Sequence, residues 1–132
     1  MAARLPAALV FLVVAWTLPA RAHHSFAADY DIKQPITLSG TVTRTEWTNP
    51  HVHFNVNVAE AGGAVTEWRF EMGAVNGLFR RGWTREMLKP GDMVTVEGYL
   101  ARDGSKLANA RVITLPGGRK MSGGTQPDAQ GN

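Results

Sequence analysis

Residues 51–58 read His-Val-His-Phe-Asn-Val-Asn-Val. Val52, Phe54, Val56 and Val58 fall on one face, and His51, His53, Asn55 and Asn57 on the other. That alternation is the period of a half-buried strand. Downstream, Ala61-Gly62-Gly63 turns the chain into a second such run, Ala64 to Glu71. There Thr66, Trp68 and Phe70 oppose Val65, Glu67, Arg69 and Glu71, and the mixed charges of the second set read as a solvated face. Upstream, Ile36, Leu38, Gly40 and Val42 alternate with Thr37, Ser39, Thr41 and Thr43. Trp47-Thr48-Asn49-Pro50 separates that strand from the histidine strand, because Asn-Pro favours a turn.

From Gly73 the period changes. Val75, Leu78 and Phe79 have helical spacing, and Thr84 is placed to cap a second short turn through Leu88. Lys89-Pro90-Gly91-Asp92 is a turn signal. Met93 to Leu100 reads as a fourth strand. Asp103-Gly104 marks a hairpin into a fifth, Ala108 to Leu115. Three strands, one short helix and two strands in residues 36–115 predict a mainly β, five-stranded Greek-key barrel of the OB type. A five-stranded SH3-like barrel is the alternative, and the helix between strands three and four favours OB. Gly40 and Gly98 fall within strands, where such barrels bend tightly. Residues 116–132 are poor in large apolar side chains and predict a disordered tail.

The first 22 residues read as an export signal. Arg4 gives a positive start, Ala7 to Leu18 an apolar run, and Ala20-Arg21-Ala22 a small-x-small cleavage site. The run is short against the roughly 20 apolar residues a membrane helix needs. Cleavage between Ala22 and His23 predicts a periplasmic or secreted chain of 110 residues with no stable membrane anchor, and residues 23–35 as an extended lead-in. Arg4 and Arg21 leave with the signal, taking the 14 basic residues to 12 against 11 acidic ones. That balance gives no electrostatic footprint for nucleic acid. The absence of cysteine excludes disulfides, thiolate metal sites and lipoprotein attachment.

His23-His24-Ser25-Phe26, Asp29-Tyr30-Asp31, Gly40-Thr41-Val42, Trp47-x-Asn49-Pro50-His51, Leu88-Lys89-Pro90-Gly91-Asp92 and Asp103-Gly104-Ser105 follow one another in this order. With them the chain resembles a family of small exported bacterial proteins of unknown function. The resemblance covers nearly all of the chain between signal and tail. It implies export and a compact β domain and carries no activity.

All four histidines lie beyond the signal, as His23 with His24 and as His51 with His53. After cleavage, His23 offers both its terminal amine and its ring, and the two can close a chelate on one metal ion. His51 and His53 share a strand face, with Cα atoms roughly 6.5–7 Å apart. Metal–nitrogen bonds of about 2 Å let two such rings converge on one ion. An amine and two imidazoles form a histidine brace, and nitrogen ligands in planar geometry without thiolate favour Cu(II). His23, His24, His51 and His53 are therefore the candidate metal ligands, with copper the expected ion. Asp29, Tyr30 or Asp31 could add an oxygen, and Trp47 could cover the site. The expected role is non-enzymatic: metal storage, delivery or tolerance, with envelope proteins as possible partners. A metal-free ligand- or protein-binding barrel is the alternative, using the Trp47–Pro50 loop and the His51, His53, Asn55, Asn57 face. A copper redox enzyme and haem carriage by a surface histidine are further readings. No HExxH helix, G-x-S-x-G elbow or phosphate-binding glycine loop is present.

Overall fold

The computed structural model describes residues 26–125. The four-residue helix α1 (Phe26–Asp29) leads into β1 (Tyr30–Glu46), β2 (His53–Ala59) and β3 (Val65–Glu71). Helix α2 (Val75–Arg80) and one tight helical turn (Arg85–Met87) follow, then β4 (Met93–Ala101), β5 (Leu107–Thr114) and β6 (Lys120–Ser122). The sheet order is β3-β2-β1-β4-β5-β6. A parallel pairing of Arg69–Glu71 with Leu107–Asn109 joins β3 to β5 and closes the first five strands into a barrel. With α2 between β3 and β4, this is the OB-like architecture expected.

The long β1 makes closure possible. Its second half pairs with β2 and its first half with β4, so the strand must bend across the barrel. The bend falls at Gly40, where a Cβ would run into the backbone carbonyl of Asn57. Gly98 meets the same constraint on β4, against the carbonyl of Asn109. Both glycines are required by close backbone approach rather than by an unusual φ.

The alternating faces fall as the sequence indicates. Val52, Phe54, Val56 and Val58 are buried together with Trp68, Phe70, Val94, Val96 and Ile113. Phe54 pairs with Phe70 across β2 and β3, their rings stacked at 5.3 Å. Helix α2 closes one barrel end with Val75 and Leu78, both buried. Thr84 precedes the next turn without making a side-chain cap.

Two parts differ from expectation. The lead-in is not wholly extended: it contains α1, and β1 begins at Tyr30 rather than Ile36. The segment after Leu115 is no disordered tail as far as Thr125. It forms a sixth strand on β5, with Met121 buried against the core. Trp83 fastens it by donating its indole N–H to the Ser122 carbonyl at 2.7 Å, and Gly73 N–H reaches the Gly123 carbonyl at 2.8 Å. The composition that suggests disorder overlooks how one apolar residue, Met121, and an open β5 edge can order a short strand.

Candidate functional site

His51 and His53 lie at the entry to β2. Val52 between them is fully buried and continues the ladder, donating to the Gly73 carbonyl and accepting from Met72 N–H. Its inward direction turns both imidazoles outward on the same side. The register sets His53 opposite Glu71. Glu71 then meets both rings: one carboxylate oxygen lies 3.3 Å from His51 Nδ1 and the other 3.4 Å from His53 Nε2. The His51 side chain is 46% exposed, while those of His53 and Glu71 are 22% and 21% exposed.

A third partner reaches the same carboxylate. Tyr30, at the start of β1 and 3% exposed, sets its phenol beside Glu71. Burial, then the charge of Glu71, push the phenol well above its ordinary range. For Glu71 itself, burial works to raise the carboxyl pKa. The hydrogen bond from His53, the charges of His51 and His53 and the Tyr30 phenol outweigh it, so the group titrates below its ordinary 4.5. Glu71 is therefore a carboxylate held charged by three neighbours from two other segments.

The lead-in is fastened beside this cluster. Phe26 packs on Tyr30 at 5.2 Å and edge-on to Tyr99 at 6.1 Å. Arg102, at the β4–β5 hairpin, donates from Nε to the Ala27 carbonyl at 2.7 Å and from its backbone N–H to the Asp29 carbonyl at 2.9 Å. Between α1, Glu71 and that hairpin lies an open cleft of about 530 Å³, with Asp29, Tyr30, Arg102, Asp103 and Leu107 on its walls.

The sequence candidates are thus distributed as follows. His51 and His53 come together on Glu71. His23 and His24 lie outside the described residues. Tyr30 joins the cluster through Glu71, Asp29 lines the cleft, and Asp31 turns back to its own Lys33 N–H and Gln34. Trp47 stacks on Phe79 at 5.9 Å and packs against the core. Among the described residues, no three His, Cys, Asp or Glu side chains converge on one metal position. Glu71 is the residue that sequence reading assigned to a solvated face. Its signal was present: His53 and Glu71 stand equally far on either side of Gly62, so a hairpin turning there sets them opposite.

The comparisons with known proteins add the following. A model of a family of unknown function (DUF6152) matches residues 10–110. No curated protein matches. Among solved structures, the mitochondrial single-stranded DNA binding protein Rim1 from S. cerevisiae is similar at 12% identity, over 67% of this chain and 95% of its own, with a TM-score of 0.49. The N-terminal domain of PriB from Thermoanaerobacter tencongensis is similar at 20% identity, over 63% of this chain and 96% of its own, with a TM-score of 0.43.

Proposed function

Because the chain belongs to a family of unknown function (DUF6152), its role has to come from its own residues, and we propose that it is an exported copper-binding protein for metal storage, delivery or tolerance. The ligands in this reading are the amine and ring of His23, exposed by cleavage after Ala22, with His51 and His53; His24 stands ready as a further donor.

The observation that carries the reading is the shared carboxylate. Glu71 engages His51 through Nδ1 and His53 through Nε2. Each ring keeps its other nitrogen for a ligand. A carboxylate that accepts the spare N–H of a histidine fixes tautomer and ring direction, which is the usual outer support of a metal-binding imidazole. Chain reach sets a condition. Tyr30 touches Glu71 and α1 precedes it, adding about 6 Å. The three residues from His23 to Phe26 extend at most about 10 Å further. The reading requires the terminal amine to cover, with this length, the distance from the Tyr30 end of the cluster to the histidine pair.

The test is a Cu(II) titration of the processed chain beginning at His23, followed by EPR. A nitrogen-rich, tetragonal Cu(II) signal is expected. One extra alanine ahead of His23 should weaken binding sharply, and Glu71→Gln should weaken it about 10–100-fold. Affinity unchanged by the added alanine would remove the terminal amine from the ligand set.

A second, metal-free reading has the open cleft at Tyr30 in its favour, since it could admit a small ligand between Arg102 and Glu71. Ligand retention in the presence of a chelator would select it.

A further inference from the structure

Residues 79–89 hold four cations and one anion, whereas the other described residues hold eight against nine. The cations are Arg80, Arg81, Arg85 and Lys89. All are exposed, and none forms an ion pair with a described residue. Outside this segment Arg44, Arg69, Arg102, Arg111 and Lys120 each meet a carboxylate, while Lys33, Lys106 and Arg119 stand singly along the chain.

Their arrangement is not a random scatter. The guanidinium groups of Arg80 and Arg81 converge over Gly77, 4.0 and 3.8 Å from where a Cβ would stand. Two like charges are thus held side by side with no anion between them. Arg85 lies over the Phe79 ring at 5.9 Å. Phe79 is itself 40% exposed, one of four large apolar side chains left exposed among the described residues. Its inner face is supported by Trp47 at 5.9 Å, which in turn meets the buried Trp83 at 6.3 Å. The Trp47 loop is tied to α2 by Val75 N–H donating to Asn49 Oδ1. An exposed ring on a rigid aromatic base thus carries one unpaired cation, and two more stand together over Gly77 of the same short helix.

We propose that this face docks onto an anionic phospholipid surface. Paired guanidinium forks match phosphate oxygens. Exposed aromatic rings beside Arg and Lys are the composition of elements that rest at a bilayer interface. Charge complementarity selects the occupant. Four cations spread along an exposed surface suit an array of phosphates, and the described cleft lies elsewhere, at Tyr30 and Glu71. No helix among the described residues is long and apolar enough to cross a membrane, so the contact is peripheral. The proposal does not depend on copper binding.

The experiment is co-sedimentation of the processed chain with vesicles of phosphatidylglycerol and phosphatidylethanolamine, against vesicles of phosphatidylcholine. Binding to the first only, weakening as salt rises, is expected. Arg80→Gln with Arg81→Gln should lower partitioning roughly 25-fold, from about fivefold per cation near an anionic surface. Phe79→Ala should lower it with little change in salt dependence, and Trp47 emission should shift to the blue on vesicle addition. The melt of the double-glutamine variant should match the parent, since both arginines are exposed; Phe79→Ala also loses its stack on Trp47, so its vesicle binding is compared at a temperature where both proteins are folded. No binding to the anionic vesicles, equal binding to phosphatidylcholine, or full binding by the double-glutamine variant would overturn the proposal. So would displacement by inorganic phosphate beyond that caused by chloride of equal ionic strength, which would assign the arginines to a free anion.

Discussion

Replacing Glu71 by glutamine keeps the shape of the side chain and removes its charge. The amide can offer one acceptor oxygen where the carboxylate offers two, yet His51, His53 and Tyr30 all turn to this residue. A well-buried hydrogen bond to a charged group is worth about 1.5–3 kcal/mol. The histidine contacts are long, at 3.3 and 3.4 Å, and Glu71 is 21% exposed. The expected loss at pH 7 is therefore about 1–1.5 kcal/mol, or roughly 6 °C of melting temperature for a domain of this size. The pH dependence has a definite sign. Glu71 titrates below its ordinary 4.5 in the folded chain, so below that value the unfolded chain binds more protons. The stabilisation is complete above pH 4.5 and disappears as pH falls through the lower folded value. Asp31, Glu46 and Asp103 are also held low. They are common to both proteins, so the difference between the two curves isolates Glu71. The assay is thermal unfolding of metal-free wild type and Glu71→Gln from pH 7 to pH 3. The gap should be fully open above pH 4.5 and close as pH falls below it. Melting points within about 1 °C of each other at pH 7 would refute the claim that this carboxylate organises the cluster.

Gly98→Ala should destabilise by about 3 kcal/mol or prevent folding, because the new methyl meets the Asn109 carbonyl and the strands must part; urea unfolding measures it. Asn109→Ala should cost about 1–3 kcal/mol by the same assay. It is the fully buried polar side chain whose Oδ1 accepts from Tyr99 N–H at 2.7 Å and whose Nδ2 donates to Thr125 at 2.8 Å. Ending the chain at Gly118 should lower the melting temperature and raise amide exchange on the outer edge of β5, since it removes β6 with its buried Met121 and uncovers Trp83. A truncated chain that melts with the full one would show that β6 adds nothing to the core.

How much of this was legible in the sequence depends on the range of the interaction. Period-two alternation in residues 51–58 identifies the buried face without error, because each side chain's direction is set by its own backbone. The helix between β3 and β4 is equally local, and together these give the OB-like order. Glu71 was missed for the opposite reason. Its neighbours along the chain, Arg69 and Glu67, are those of a solvent face, and Arg69 does bridge to Glu46 at 2.8 Å. Only the register across Gly62-Gly63 sets Glu71 opposite His53. Tyr30 is one of three oxygen donors the sequence offers to the histidines, but its meeting with Glu71 was out of reach, since it requires the barrel to have closed. Gly40 and Gly98 were read as bends, and the physical cause is a neighbouring carbonyl on another strand.

Closure of the barrel brings the cluster together from three separate segments. Tyr30 arrives through β1, Glu71 through β3 and the histidines through the approach to β2. A slip of one residue between β2 and β3 would turn Glu71 or His53 into the core and leave a buried charge or ring without its partner. Val52, Phe54 and Phe70 forbid that slip, because it would equally expose three fully buried apolar side chains. The polar cluster therefore needs no energy of its own to be placed: the apolar face of the same strands fixes it. In the proposed copper site Glu71 would keep its hold on the two imidazoles while their other nitrogens face the ion. A site whose position is set by the core and whose internal bonds are weak is one in which ligand affinity can be altered without unfolding the domain.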